Sequence, residues 1–214
     1  MKIIEPSVEI ITPIDPQTVM QHIELAGRVC YKSEDKIKDD SAEDFVRSII
    51  KRGHESVLEH FAITVRFICD RGVSHELVRH RIASYSQEST RYCNYARGKF
   101  GEEITVIRPH FFEAETEEGR KQYARWVLAM EDAERWYKKL LEGGATPQEA
   151  RAVLPNSLKT EVIMSANLRE WRHFLRLRCA PAAHPQMLEV ACMLRDQLVE
   201  VLPVIFEDLV NAAD

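Results

Sequence analysis

The 214-residue sequence lacks the patterns that mark membrane and secreted proteins. No apolar run approaches the ~20 residues that a membrane helix needs. The N-terminal stretch MKIIEPSVEIITP contains two prolines and two acidic residues and has no continuous apolar core, so it does not resemble a signal peptide. We therefore expect a cytoplasmic protein without a membrane segment.

The sequence also lacks paired cysteines. Its five cysteines are odd in number and none belongs to a CxxC pair, which argues against a disulfide framework and against a zinc ribbon. We expect reduced cysteines, several of them in the hydrophobic core. They are Cys30, Cys69, Cys93, Cys179 and Cys192.

Two nucleotide-binding motifs are absent as well. The chain contains no GxGxxG and no GxxxxGK(S/T), so neither a Rossmann turn nor a P-loop is available to hold a nucleotide. No internal repeat or linker divides it, and we expect one domain over residues 1–214. The net charge of −5 argues against a general nucleic-acid-binding surface.

What is present is a mixture of strand and helix patterns. Strands are predicted at residues 7–12, 61–69, 104–107 and 157–165. Helices are predicted at residues 16–29, 41–53, 74–81, 115–141, near 147, at 167–178, and from 185 to 210 with an interruption near Pro203. Because no regular βαβ rhythm appears, we expect an α/β or α+β domain with a mostly antiparallel central sheet flanked by helices.

Some of these helices carry more specific predictions. Ser41, followed by Asp44, forms an imperfect capping box at a helix start, and Ser74 and Asn167 are predicted N-caps. In the long helix, Trp136 is assigned to the apolar side, together with Tyr123, Trp126, Val127 and Met130.

The segment RHRIASYSQESTRY at residues 79–92 is unusually rich in arginine and hydroxyl groups. From residue 79 to residue 99 there are five cations and one acid, Glu88, which gives a local charge of +4 in an acidic protein. Arginine forks combined with serine hydroxyls are suited to phosphate groups. The segment therefore predicts a specific anion site. The five cations are Arg79, Arg81, Arg91, Arg97 and Lys99.

Two other interpretations of the same segment stay open. An arginine-rich loop could serve solubility alone, although that would not explain the many hydroxyl groups. A surface for single-stranded RNA would need aromatic side chains for stacking, which Tyr85, Tyr92 and Tyr95 could supply. The acidic remainder of the chain argues against the RNA interpretation.

His54 and His60 do not have the spacing of a metal-binding helix. The two residues are six positions apart, which on a helix turns their side chains about 240° away from each other. Histidines of a zinc-protease helix are four apart on one face. We expect no metal here; a buried, hydrogen-bonded role for His60 is as plausible as a direct one, and His54 is the better functional candidate.

The segment at residues 79–92 resembles the signature RHRxxSxxxxSxRY of the flavin-dependent thymidylate synthases, with all seven fixed positions matched. Four further stretches resemble elements of that family in the same order. They are GRVCYKS at 27–33, GHESVLEH at 53–60, EARAVLP at 149–155, and the helix that carries NLR at 167–169 and RLR at 176–178.

This resemblance implies reductive methylation of dUMP to dTMP, with 5,10-methylenetetrahydrofolate as carbon donor, FAD as hydride carrier and NADPH as reductant. It also implies a homotetramer with shared active sites and flavin binding without a Rossmann fold. Arg178 is the implied catalytic residue. The implied dUMP-binding residues are Glu76, Arg79, Gln87, Glu88, Ser89, Arg91, Arg151 and Arg178. The implied FAD-binding residues are His54, Ser56, Arg79, His80, Arg81, Gln87, Asn167, Arg169 and His173.

Some positions depart from the family pattern. Many members carry asparagine where this chain has Ser86, the family often has asparagine at the position of His173, and Gln87 is glutamate in some relatives. No covalent enzyme nucleophile is implied: Ser89 is expected to bind substrate, because activation of a serine requires a nearby base, and Cys93 is expected to be structural.

Overall fold

The computed structural model describes residues 1–96, 101–112 and 115–210, so Arg97 and Lys99 of the basic segment lie outside the described residues. The strands are β1 (Lys2–Ile4), β2 (Ser7–Ile10), β3 (Ala62–Asp70), β4 (Ala83–Gln87), β5 (Thr105–Ile107) and β6 (Lys159–Asn167). The α-helices are α1 (Pro16–Val29), α2 (Ala42–Lys51), α3 (Arg71–Leu77), α4 (Glu117–Glu142), α5 (Pro147–Ala150), α6 (Leu168–Arg178), α7 (Pro185–Val201) and α8 (Pro203–Phe206). Short 3-10 helices cover Glu34–Lys36, Glu55–His60, Arg151–Val153 and Glu207–Leu209.

The central sheet has four strands in the order β2-β3-β6-β4. Its middle pair is antiparallel, because the N–H of Leu168 donates to the carbonyl of Phe61 at one end and the N–H of Arg71 donates to the carbonyl of Leu158 at the other. A separate parallel pair joins β1 to β5. The predicted mixture of helices with a mostly antiparallel sheet is confirmed.

The chain divides into two compact units. The first unit comprises Met1–Ser7, Phe67–Arg79 and Ser86–Val162, and the second comprises Val8–Arg66, His80–Tyr85 and Ile163–Asp214. The core of the first unit contains Tyr95, Ile104, Val106, Met130, Tyr137, Ala150 and Leu158. In the second unit α1 packs on α2, and α6 packs on α7 and on the 3-10 helix Glu55–His60. The single domain over residues 1–214 stays a prediction.

Several helices begin where the sequence predicts them. Helix α1 starts at Pro16, after Asp15, whose carboxylate accepts a hydrogen bond from the N–H of Thr18. Helix α6 follows Asn167, whose Oδ1 accepts from the N–H of Glu170 at 2.9 Å. Each cap satisfies a backbone donor that the helix itself leaves without an acceptor. The predicted interruption near Pro203 separates α7 from α8.

Two of the predicted caps are wrong. The Ser41 side chain makes no capping bond; its hydroxyl lies 2.9 and 2.8 Å from the two carboxylate oxygens of buried Glu24. Helix α3 begins at Arg71 rather than at Ser74, because the Asp70 carboxylate already accepts from the N–H of Val73 at 2.7 Å. In both places a carboxylate displaced the serine from the predicted role.

The assignment of Trp136 to the apolar side of α4 is also wrong. Trp136 is 52% exposed, whereas its neighbour Tyr137 is 1% exposed and packs in the core of the first unit. Strand β4 was not predicted, because its sequence ASYSQ contains no large aliphatic residue to mark an apolar face.

The five cysteines are free, and Cys69 and Cys179 are buried, as expected for reduced core residues. Cys93 packs beside the core of the first unit, which fits its expected structural role. Within the described ranges, none of the helices combines the length and the apolarity required to cross a bilayer.

Candidate active site

The two sets of predicted site residues are divided between the two units. Apart from Arg178, every predicted dUMP-binding residue belongs to the first unit. Apart from Arg79 and Gln87, every predicted FAD-binding residue belongs to the second.

In the first unit the structure joins two arginines that are distant in sequence. Arg151 Nη1 donates to the hydroxyl of Thr90 at 3.3 Å, across 61 positions of the chain. Thr90 is 7% exposed and directly precedes Arg91. The turn is fixed locally, because Ser89 Oγ accepts from the N–H of Arg91 at 3.3 Å and the Ser89 carbonyl accepts from the N–H of Tyr92. The predicted dUMP-binding residues Arg91 and Arg151 are thus brought to one turn.

These arginines keep their charge available. Arg79, Arg81, Arg91 and Arg151 are exposed, and across the described parts of the chain none of them forms an ion pair with a carboxylate. Other exposed arginines do pair, as Arg135 does with Asp132. A guanidinium without a carboxylate partner is free to bind an anionic ligand in a bidentate manner.

The neighbouring Gln87 and Glu88 are held by the protein itself. Gln87 Nε2 donates to Ser74 Oγ at 2.9 Å and to Thr160 Oγ1 at 3.2 Å, which leaves the amide oxygen as its remaining acceptor. Glu88 accepts from Lys159 Nζ at 2.7 Å on one carboxylate oxygen and from the Tyr95 hydroxyl at 2.9 Å on the other. Burial and the Glu88 carboxylate raise the pKa of Tyr95, which keeps this hydroxyl protonated as a donor.

Glu76 is half-buried near the C-terminal end of α3, and its carbonyl accepts from the N–H of Arg79 at 3.2 Å. This bond fixes the backbone at the point where the signature segment begins. Among the predicted dUMP residues of the first unit, Gln87 is thus tied to α3 through Ser74, and Arg151 is tied to the turn at Thr90.

In the second unit five of the predicted flavin residues line two cavities, and His80 and Arg81 are in neither lining. One, of about 370 Å³, is lined by His54, Ser56 and Arg169 together with Tyr31 and Phe45. The other, of about 490 Å³, is lined by Asn167, Arg169 and His173 together with Ile82. Glu55 and Arg169 belong to both linings, so the two cavities adjoin. The first cavity has the apolar and aromatic walls with a few polar groups that are typical of sites for a large organic cofactor. The second is lined mainly by charged and polar side chains, which include Glu55, Glu59, Glu170 and Arg176.

A buried ion cluster fixes the segment that carries His54 and Ser56. Arg172 is fully buried; its Nε lies 3.2 Å from Glu55 Oε1, and Arg176 Nη2 lies 2.7 Å from the same oxygen. Burial raises the pKa of Glu55, but Arg176 and Arg172 outweigh it and hold the pKa below the ordinary value. The Glu55 carboxylate is therefore ionised at neutral pH.

Sequence reasoning missed Arg172. Its guanidinium also donates to both carboxylate oxygens of Asp208, at 2.7 and 2.6 Å, and to the carbonyl of Ile205. One signal was present, because Arg172 follows Leu168 by four residues and precedes Leu175 by three. Those spacings place it on the same apolar face of α6.

His80 occupies a buried position between two charged residues. Its Nδ1 lies 3.1 Å from Glu170 Oε1, and its Nε2 accepts a hydrogen bond from Arg178 Nε at 3.1 Å. The ring packs edge-to-face on Phe174 and is 5.8 Å from the ring of His173. Burial lowers the pKa of His80, Glu170 raises it, and Arg178 and His173 lower it further, with a net decrease. Glu170 was not among the predicted site residues.

His80, Glu170 and His173 also form a group whose possible ligand atoms all lie within 4.8 Å of one another. A metal ion there would bind a histidine whose Nε2 already accepts from Arg178, and so would lie near that positive guanidinium. The arrangement therefore favours a hydrogen-bonded chain of side chains over a cation site.

Comparison with known proteins gives consistent matches. The family described as "Thymidylate synthase complementing protein" matches residues 15–204. A flavin-dependent thymidylate synthase of Geobacter sulfurreducens is 35% identical over 201 residues, covering 91% of this chain and 82% of that one. One from Pyrococcus abyssi is 34% identical over 178 residues, covering 81% and 70%.

A similar fold occurs in a solved structure. The UMP/dUMP methylase PolB from Streptomyces cacaoi, bound with 5-Br dUMP, superposes with a TM-score of 0.79 at 24% sequence identity. The match covers 100% of this chain and 98% of that one. The whole described fold is therefore one that a known enzyme shares.

Proposed function

Because the chain belongs to the family of flavin-dependent thymidylate synthases, we propose that it methylates dUMP to dTMP with FAD, 5,10-methylenetetrahydrofolate and NADPH. Dependence on a flavin is a property of the family. We propose, in addition, that the flavin is FAD, that the carbon donor is the folate and that the reductant is NADPH. We further propose that the enzyme acts in the cytoplasm, without a covalent nucleophile of its own.

The observation that carries the proposal is that Arg91 and Arg151 are placed at the same turn, at Thr90. Thr90 binds Arg151 through a neutral hydroxyl, which fixes the side chain without cancelling its charge. Two exposed arginines at one turn suit the dianionic phosphate of a nucleoside monophosphate. Ser89, in the same turn, supplies a hydroxyl beside them.

The flavin-binding residues of the second unit fit an extended ligand. His54 and Ser56 are exposed at one cavity, Asn167 and His173 line the other, and Arg169 lies at both. When bound, FAD would supply the hydride that no protein side chain can donate. The residues of this chain would bind and orient it and exclude water from its apolar parts.

Arg178 is proposed to act directly on the pyrimidine. A guanidinium beside N3 and O2 of uracil would stabilise the negative charge that develops on the ring during reduction. Arg178 is half-buried at the C-terminal end of α6, and its Nε–H is held by His80, so its remaining N–H groups have a defined direction.

No side chain is proposed to attack the substrate. Ser89 would need a base to become a nucleophile, and His80, the nearest histidine in sequence, has both ring nitrogens bonded to Glu170 and Arg178. Cys93 packs beside the core, consistent with a structural role.

The test is tritium release from [5-³H]dUMP by the purified protein, with FAD, NADPH and methylenetetrahydrofolate each omitted in turn. We expect release that requires all three. Release without the folate donor would contradict the proposed carbon source. No release from protein that binds FAD and dUMP would favour a nucleotide-binding flavoprotein with another reaction, and colourless protein that binds single-stranded RNA would favour the RNA module.

Arg151→Ala tests the phosphate assignment in the same assay. Loss of a charge-assisted contact worth roughly 1.5–3 kcal/mol should raise the KM for dUMP about 10- to 100-fold. Arg135→Ala is the matched control, because Arg135 is an exposed arginine of the first unit that pairs with Asp132 on α4. An equal effect of both variants would contradict the assignment.

We also propose a homotetramer with shared active sites. Sedimentation equilibrium should then give four times the chain mass of 24.7 kDa. A monomer with full activity would contradict the sharing of sites between subunits.

A further inference from the structure

The chain Glu170–His80–Arg178 has a defined order of protons. Arginine carries only donors, so the bond between Arg178 Nε and His80 Nε2 requires Nε2 to be the acceptor. His80 is then neutral, and its single ring proton is on Nδ1. That proton points to Glu170 Oε1, 3.1 Å away, where a carboxylate accepts it.

The surroundings of His80 support this state. Burial depresses its pKa, so that the ring resists protonation at neutral pH. Glu170 is 8% exposed. In its ionised form a carboxylate has acceptor oxygens and no donor. Its position in the first turn of α6 favours a negative charge, because the N-terminal end of a helix carries a partial positive charge.

Two further contacts hold His80 in place, one at its ring and one at its backbone. Phe174 packs against the ring with centroids 4.9 Å apart. The Tyr85 hydroxyl donates to the backbone carbonyl of His80 at 2.6 Å. The ring therefore has little freedom to rotate, and its tautomer is decided by what faces Nδ1.

We infer that Glu170 is a positioning residue of this enzyme, which selects the Nδ1–H tautomer of His80 and thereby orients the guanidinium of Arg178. The expected effect on kcat rests on the proposed function, whereas the tautomer of His80 and the direction of Arg178 do not. Glu170 does not touch the substrate in this scheme; it acts through His80.

The consequence of removing the charge follows from hydrogen-bond chemistry. In Glu170→Gln, an amide of nearly the same shape can donate to Nδ1 as readily as accept from it. Donation shifts the proton of His80 to Nε2, where it would face the Nε–H of Arg178, donor against donor. Arg178 would then rotate away from its direction, while the binding of dUMP through Arg91 and Arg151 is unaffected.

The first experiment is ¹⁵N NMR of histidine-labelled protein near neutral pH, with the His80 signal assigned by its loss in His80→Gln. In the wild type we expect a neutral His80 protonated at Nδ1, and in Glu170→Gln a shift of the population toward Nε2–H. A wild-type His80 protonated at Nε2, or on both nitrogens, would overturn the inference, whether or not any variant folds.

The second experiment measures tritium release from [5-³H]dUMP by the same proteins with cofactors added. Glu170→Gln should lower kcat by about 10- to 100-fold, the loss typical of a misplaced catalytic group, with a smaller effect on the KM for dUMP, which Arg91 and Arg151 still bind. Glu24→Gln is the control, since Glu24 is an equally buried carboxylate that binds Arg28 and Ser41 instead.

The outcomes separate this inference from the proposed function. Inactive wild-type enzyme with an Nδ1–H His80 would contradict the function and leave the proton order intact. Active wild type with unchanged kcat in Glu170→Gln, or an equal fall in Glu24→Gln, would overturn the positioning role.

Discussion

The buried Arg172 cluster offers a direct test of how the second unit is held together. Replacing Asp208 by alanine removes the bidentate partner of a guanidinium that is fully buried. Arg172 would keep Glu55 and the carbonyl of Ile205, but two of its donors would lose their charged acceptor. Donors that remain desolvated recover only part of this loss from water.

The expected magnitude lies between two limits. Breaking a fully buried ion pair costs about 3–5 kcal/mol, and an exposed pair contributes less than about 1 kcal/mol. The Arg172 side chain is 0% exposed but that of Asp208 is 48% exposed, so we expect about 3 kcal/mol for Asp208→Ala. For a chain of this size that corresponds to a fall in Tm of about 6–12 °C.

Urea unfolding and thermal melts at one protein concentration would measure this loss. Asp196→Ala is the control, because Asp196 is 67% exposed and pairs with the adjacent Arg195; it should cost less than about 1 kcal/mol. In a protein that already carries Arg172→Met, Asp208→Ala should lower the free energy of unfolding by less than about 1 kcal/mol, because the buried guanidinium of Arg172 is no longer present. An undiminished cost in that background would refute the reasoning.

Two more predictions concern the aromatic face of α4 and the charge of Glu55. Tyr137→Ala should lower the free energy of unfolding by about 3–5 kcal/mol and Trp136→Ala by under about 1 kcal/mol, because only Tyr137 is buried; similar losses in urea titrations would contradict the burial. The pKa of Glu55 is depressed in the folded state despite its burial, so its ionised form stabilises the protein above the unfolded pKa, and this is lost as pH falls through the folded pKa. The stability difference between wild type and Glu55→Gln should therefore shrink on acidification below about pH 4.5, and a pH-independent difference would argue against an ionised Glu55.

Local chemistry accounts for the elements that the sequence predicted best. Helix α1 and helix α6 begin where a side-chain acceptor stands directly before the first turn. The start of each helix is therefore determined by residues within three positions of one another. Both partners of such a contact are close in sequence, so predicting it requires no knowledge of the tertiary structure. The β3 pattern is equally local, because alternate residues must face the core whatever covers it.

The predicted Ser74 cap failed because of a local competitor, Asp70, whereas the other failed predictions depended on distant partners. The hydroxyl of Ser41 bonds Glu24, 17 positions away, in preference to its own helix. Trp136 and Tyr137 are adjacent on α4, and helical periodicity could not decide which of the two the core of the first unit would accept. Arg172 was missed for the same reason, since its carboxylate partners come from residues far away in sequence.

The candidate site shows the same division. A signature motif locates a functional segment, but it does not separate side chains that bind a ligand from side chains that support them. Within the motif, Arg79 and Arg91 are exposed, whereas His80 is buried with both ring nitrogens bonded to Glu170 and Arg178. Fixed positions of the same motif thus have different physical roles, since some can bind a ligand and others support the residues that do.

The choice of supporting partner explains how an arginine can be fixed and still bind an anion. A carboxylate beside a guanidinium would compete with the phosphate of the substrate for the same donors. Arg151 is held instead by the neutral hydroxyl of Thr90, and one N–H of Arg178 by the neutral imidazole of His80. Both acceptors are buried, so they are themselves rigidly placed. At Arg151 a neutral acceptor thus directs the side chain and leaves its charge for the ligand. At Arg178 the bond to His80 requires that His80 stay unprotonated, the state that its depressed pKa maintains.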